Sequence, residues 1–354
     1  MNIDIKRIDW LDIAKGIAIL SIIMVHFPGK YRPISQGITW HVSIFFSITG
    51  ILLFLKSNSS ITTSEVKKDF INILWPYISL SIIYIVLNFI VQYILNDLSL
   101  AVNTTCENIF LTISGVGIGT LWFLPTLFIA KTIYRFLFFR ETIRRSILAY
   151  LVMCVSLICA YFLNKYCKSS ELDLCYKTFI LNLIKLFIQS GIAVGFMEIG
   201  INIYYFVCLI EKEKKKLKCI FFFLGLLFLV IDVVCFKFYD GNDLRLARIC
   251  NPFEYLICSI FGIVAIIFLS CFLQKIYKNP IISFLIYCGK NSLIIMTTHL
   301  EYRVVSICIF VVFLFLPNCF ITKCLAFLLV CIIEIIICEL VNRTFLKKVY
   351  FLNK

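Results

Sequence analysis

The stretch Trp10-Leu11-Asp12-Ile13-Ala14-Lys15-Gly16-Ile17-Ala18-Ile19-Leu20-Ser21-Ile22-Ile23-Met24-Val25-His26 decides how the rest of the chain is read. It is an apolar helical segment carrying three ionisable side chains. At roughly 100° per residue, Lys15 and His26 differ by about 20° around the helix and share a face. Asp12 lies about 40° to the other side of His26, on that same face. The rise along the axis puts Lys15 and His26 about 16 Å apart. A polar stripe of that length is costly in a bilayer unless it faces protein or a wet cavity, so it reads first as a functional feature.

Working outward, the whole chain is apolar. Hydrophobic residues make up 61% of its 354 positions, and the mean hydropathy is +0.98. A soluble core cannot absorb that much apolar surface. Long uninterrupted apolar runs also differ from the alternation of a membrane β-barrel. The expected class is therefore an all-α polytopic membrane protein, a single domain over residues 1–354. The spans are expected near 11–27, 38–55, 71–95, 120–139, 146–163, 178–209, 217–235, 253–273, 281–300 and 320–341, about ten in all. Residues 178–209 hold Gly191, Gly195, Glu198 and Gly200 and are expected to bend or break. The 304–316 run extends the ninth helix or forms a re-entrant piece.

The formal net charge is +14. The basic residues cluster between apolar runs, which is the positive-inside bias of a membrane protein and not a nucleic-acid footprint. One set of loops holds Lys56, Lys67, Lys68, Arg144, Arg145 and the Lys212–Lys218 cluster; the alternate set is poorer in Lys and Arg. The richer set is expected to be cytoplasmic, with both termini inside. Among the 17 cysteines there is no C-x-x-C pair, so no zinc ribbon or redox motif is indicated. Cys167 and Cys175 share one loop and are close enough in sequence to bridge, but single buried thiols are the expected state.

That topology brings all three histidines, His26, His41 and His299, to one depth near the outer face. A neutral imidazole takes and returns a hydroxyl proton near working pH, which makes His26 the candidate base. Asp12 and Lys15, three residues apart, can pair, and Lys15 offers a fixed cation at the inner mouth. The histidine spacing matches no compact metal-ligand motif, so no metal is expected. Tyr31, Trp40 and Trp122 are of the type that stacks on sugars or forms an interfacial belt. Lys131 and Arg135 are expected to snorkel at a helix end. Lys185, Glu198, Asp232, Glu334 and Glu339 are left to line a cavity or pair, with Glu198 the favoured one.

These motifs resemble the acyltransferase-3 type of membrane O-acyltransferase, including its fucose-O-acetylase-like branch. Lys15 and His26 match a basic residue, ten residues and a histidine in that family's first helix. His41-Val42-Ser43-Ile44-Phe45-Phe46-Ser47-Ile48-Thr49-Gly50 resembles its second-helix signature. Leu121-Trp122-Phe123-Leu124-Pro125 resembles its fourth-helix motif, and Cys288-Gly289-Lys290-Asn291-Ser292 through His299 resembles its late helix. The family often carries an arginine pair before the third helix; Lys67 and Lys68 stand there instead, point charges without a bidentate fork.

The resemblance implies transfer of an acetyl group from cytoplasmic acetyl-CoA to a hydroxyl of a cell-surface polysaccharide or its lipid-linked precursor. The setting it implies is the bilayer of a bacterial inner membrane. His26 with Lys15 and Asp12 would be catalytic, and Lys67 and Lys68 would hold the donor's phosphates. His299, Asn291, His41, Trp122 and Glu198 would face the acceptor. His26 would either deprotonate the acceptor or first take the acyl group itself. A glycan transporter or flippase using the same polar stripe is the alternative reading.

Overall fold

The computed structural model describes residues 8–27, 40–56, 63–137, 142–169, 178–212, 218–235, 241–276, 279–317 and 319–350. Tyr31, Cys175 and the Cys167 side chain lie outside the described residues. Within them the chain is helical, and the one β feature is an isolated Asp243–Arg248 bridge. The helices are α1 (Asp9–Val25), α2 (Trp40–Lys56), α3 (Thr63–Asp69), α4 (Trp75–Leu95), α5 (Leu98–Ile113), α6 (Phe123–Leu137) and α7 (Thr142–Ser169). They continue with α8 (Phe179–Lys212), α9 (Lys218–Cys235), α10 (Pro252–Leu273), α11 (Pro280–Lys290), α12 (Ser292–Thr298), α13 (Val304–Phe315) and α14 (Phe320–Arg343).

The opening helix α1 is a central element. Trp10, Leu11, Asp12, Ile13, Ala14, Gly16, Ala18, Ile19, Ile22 and Ile23 are buried, against α2, α10, α11 and α12. Outer helices behave oppositely. On α4, Ile78, Ile82, Val86, Ile90 and Ile94 are all exposed. That four-residue spacing makes one continuous apolar stripe, which a helix needs on its lipid side.

Two seams let helices approach backbone to backbone. A Cβ on Gly16 would strike the Leu285 carbonyl, and one on Gly289 would strike the Asp12 carbonyl. The α2–α8 seam has the same reciprocity: Gly50 lies on Met197 and Gly200 on Ser47. Close approach of this kind is how apolar helices gain contact where no hydrophobic effect separates protein from lipid.

The bundle supports apolar membrane spans without matching all of those expected. Among the described residues, five helices are long and apolar enough to cross a bilayer: Ser64–Leu95, Thr142–Tyr166, Phe179–Glu211, Pro252–Leu273 and Phe320–Arg343. The bent pair α11–α12 would make a sixth. The helices α1 and α2 have 17 residues each, about 25 Å of rise against a hydrocarbon core of roughly 30 Å. In α6, 15 residues include Lys131 and Arg135.

Four local expectations also change. Residues 178–209 do not break: α8 runs unbroken for 34 residues. Its glycines admit neighbours instead, Gly191 meeting Ser156 and Gly195 meeting Met153. The expected 281–300 span is bent by 71° between α11 and α12, where Asn291 caps α11. Residues 304–316 form a helix of their own, α13. The 96–119 connection, read as a loop, contains α5, which starts where the Asp97 side chain accepts from Leu100 N–H at 2.7 Å.

Candidate functional site

His26 follows the last turn of α1 and is half-buried. His299 follows the last turn of α12 and is fully buried. Their rings face each other with centroids 5.2 Å apart, tilted by 41°. His299 Nδ1 lies 2.8 Å from the Ile295 carbonyl oxygen. A carbonyl only accepts, so the network assigns the proton to Nδ1 and leaves Nε2 of the neutral ring as an acceptor. That Nε2 is buried and has no hydrogen-bond partner among the described residues. A buried polar atom without a partner in a native fold calls for an explanation, and a catalytic role is one.

The chain beyond His299 is held tightly. The Glu301 carboxylate accepts the Thr120 N–H and, at 2.8 Å, the Thr120 hydroxyl. The loop delivering Thr120 contains Gly115, Gly117 and Gly119, all with positive φ. At Gly119 a side chain would collide with the Glu301 carboxylate, so glycine permits both the left-handed backbone and the clasp. Thr120 thus fastens the Leu121-Trp122 turn to the His299 turn. His41, at the start of α2, and Arg245 act electrostatically on His26, as does His299.

At the other end of α1, Lys15 Nζ lies 2.7 Å from Asp12 Oδ1. The Asp12 side chain is 5% exposed and that of Lys15 is 22% exposed. The pair therefore sits at the edge of packed protein, with the ammonium still reachable. Lys67 and Lys68 are exposed on α3. Their acidic neighbours are committed elsewhere: Asp69 holds Lys131 at 2.6 Å and Arg135 at 2.9 Å, and Glu65 holds Arg135 at 2.6 Å. Lys131 and Arg135 thus form an ion-pair cluster where snorkelling was expected.

Of the residues singled out in the sequence, His26 and His299 meet, with His41 within electrostatic range of His26. The others are placed as follows. Asn291 sits at the α11–α12 bend, donating to the Tyr287 carbonyl at 3.0 Å and accepting from Asn342 at 2.9 Å. The nearby Gly289 contact with Asp12 puts Asn291 toward the Lys15 end of α1 and away from the histidines. Trp122 is buried edge-on against Phe123 at 6.3 Å. Its ring is covered by protein and not presented to a sugar. Trp40 is likewise buried, its indole N–H donating to Asp232 at 3.1 Å.

Glu198 belongs to a separate cluster. It is fully buried, accepting from Arg145 at 3.2 and 3.3 Å, from Ser146 at 2.6 Å and from the Tyr134 hydroxyl. Tyr134 stands eleven residues beyond Phe123, about 16 Å of helix from the Trp122 turn. Glu334 accepts from Thr298 at 2.6 Å, and Glu339 from Tyr287 at 2.8 Å. Among the described residues, no group of three His, Cys, Asp or Glu is placed to hold a metal ion.

The clasp through Glu301 was missed in the sequence. Its signal was the triple glycine alternation Gly115-x-Gly117-x-Gly119, which marks a backbone with special dihedrals, although its partner 181 residues away is unreadable locally.

The bundle thus sets a facing histidine pair against one end of a buried helix and an Asp–Lys ion pair toward the other. The chain belongs to the acyltransferase-3 family, whose acyltransferase domain matches residues 8–343. No curated protein and no solved structure matches it. Membership supports membrane acyltransferase activity.

Proposed function

We propose that the protein is a membrane O-acetyltransferase of the fucose-O-acetylase-like branch, resident in a bacterial inner membrane with both termini in the cytoplasm. It moves acetyl from cytoplasmic acetyl-CoA to a hydroxyl of a cell-surface polysaccharide or its lipid-linked precursor. The observation that carries this reading is the His26–His299 contact at one end of a protein-buried helix whose other end carries Asp12 and Lys15.

His26 takes the proton of the acceptor hydroxyl as its oxygen attacks the thioester carbonyl. The new C–O ester bond forms, the C–S bond breaks, and the imidazolium returns the proton to the departing CoA thiolate. With the acceptor bound, His26 turns one N–H toward the unpartnered His299 Nε2, which leaves its other nitrogen facing the reacting hydroxyl. Lys15, held by Asp12, meets the negative charge of the donor, and the exposed Lys67 and Lys68 hold its phosphates as point charges. The rise of α1 between Lys15 and His26, about 16 Å, is on the scale of a pantetheine arm.

Incubating membranes with radiolabelled acetyl-CoA and extracted surface glycan tests the reading. Label in the glycan is the expected result; its absence over a broad acceptor panel, with intact glycan carried across the membrane instead, would establish a flippase.

Two variants test individual roles. His299→Gln, which loses the imidazole acceptor while keeping a polar side chain, should lower kcat about 10- to 100-fold, the scale on which partners of functional histidines act. Its pH–rate profile should move as well; an unchanged profile would leave His299 a packing residue. The double replacement of Lys67 and Lys68 by Gln should raise KM for acetyl-CoA several-fold, with less effect at high salt because the contact is exposed and screened. An unaltered KM would assign the lysines to the cytoplasmic loop charge alone.

A further inference from the structure

The turn between α9 and α10 has no part in the chemistry above, yet it is built with care. Asp243 and Arg248 exchange backbone hydrogen bonds at 2.8 and 2.9 Å. Ala247, inside the turn, has φ of 50°, a left-handed conformation that residues with a Cβ seldom adopt. Asn242 Oδ1 accepts the Cys250 and Asn251 N–H groups, and Asp243 Oδ1 accepts the Arg245 N–H at 2.9 Å.

The turn is also fastened to the bundle. Buried Gln189 on α8 donates to the Leu244 carbonyl at 3.1 Å and the Arg245 carbonyl at 2.7 Å. Its own carbonyl accepts from Thr126 at 3.2 Å, four residues past Trp122. Arg245 therefore has a fixed main chain and an exposed side chain. Among the described residues no carboxylate forms a salt bridge with it. Of the acidic groups near it, Asp243 is engaged by the Arg245 main-chain N–H, and both oxygens of Glu301, which lies within electrostatic range, are committed to Thr120. Its charge reaches His26.

We propose that Arg245 is an anion-binding residue for the acceptor, and that the acceptor carries a negative group beside the hydroxyl to be acylated. A guanidinium held on a rigid turn, facing solvent and within electrostatic reach of the base, is suited to a carboxylate or a phosphate. That anion is either the carboxylate of an acidic sugar or the diphosphate of a lipid carrier. The inference rests on the acyl-transfer reading above.

The test uses the full chain in native membranes, radiolabelled acetyl-CoA, and extracted glycan separated into acidic and neutral fractions. The expected result is label in the acidic fraction. Mild acid then distinguishes the sources: label that stays with an acidic product marks a sugar carboxylate, and label released in a neutral sugar marks a lipid diphosphate. Arg245→Gln should raise KM for the acidic acceptor tenfold or more, by about the strength of a charged hydrogen bond, with kcat within a factor of about two. The parent's KM should climb with ionic strength and that of the variant should not. Arg245→Lys should restore part of the loss, and Arg248→Gln should behave as the parent.

Equal labelling of neutral and acidic acceptors, or an Arg245→Gln defect independent of acceptor charge and salt, would overturn the assignment and leave Arg245 a structural charge. No label in any fraction would instead overturn the acyl-transfer reading itself.

Discussion

Replacing His26 with alanine is expected to abolish acetyl transfer, with a fall of about 10²–10⁴ in kcat, while the protein inserts and folds as before. The first part follows from its place at the end of α1 against His299, where the proposed reaction makes it the base. The factor is the usual contribution of one positioned acid–base group. The second part follows from its packing. His26 is half-buried and its side chain makes no hydrogen bond among the described residues, so truncation strands no partner. The label-transfer assay reads the activity, and gel filtration in detergent reads the fold. Added imidazole should recover part of the rate by occupying the vacated volume. A His26→Ala protein that transfers acetyl at the parental rate would remove this residue from the chemistry. Label retained on the parent protein in the absence of acceptor would indicate that the imidazole carries the acyl group in transit.

Glu198→Ala should have the opposite profile: a large loss of stability and an unchanged KM for acceptor in the protein that still folds. The carboxylate is fully buried with two hydrogen bonds from Arg145 and further ones from Ser146 and Tyr134. Deleting it takes this counter-charge from a guanidinium whose side chain is only 6% exposed. Breaking a buried pair on one side costs about 3–5 kcal/mol, whereas replacing both partners with apolar groups is often nearly neutral. Thermal unfolding in detergent should accordingly show Glu198→Ala and Arg145→Ala each strongly destabilised, and the double replacement by leucine recovered by a large coupling term. Additive losses would break the link between the two residues. A raised acceptor KM in the folded fraction would return Glu198 to the substrate path.

The contrast between these residues shows what could be read from the chain alone. The burial of α1 within protein was legible because three ionisable groups on one face of an apolar helix leave few environments open. His299 was legible as a companion of His26 because charge in the loops placed both at one depth. Glu198 was not, since its partner Arg145 precedes it by 53 residues and looks like ordinary loop charge. The same holds for Lys131 and Arg135, whose carboxylates lie 62 and 66 residues upstream.

Local rules failed in characteristic ways. Glycines in α8 were read as breakers, whereas Gly200 serves the contact with Ser47. Asn291 looked like a short polar step within one span and instead ends a helix. In α5 the apolar content is too diluted by Asn103, Thr104, Thr105 and Glu107 to stand out as a helix. Tertiary contact outweighed local preference in each case.

The seam at Gly16 and Gly289 has a consequence for how the chain is made. Gly16 rests on the backbone of Leu285, which is synthesised 269 residues later. At translation rates of about 5–20 residues per second, the ribosome needs about 13–54 s to deliver that partner. During that interval the first helix waits with Asp12 and Lys15 uncovered, and α11, at 11 residues, is too short to insert by itself. Nascent chains truncated before Pro280 should therefore cling to the insertion machinery, and release should coincide with the arrival of α11 and the helices after it.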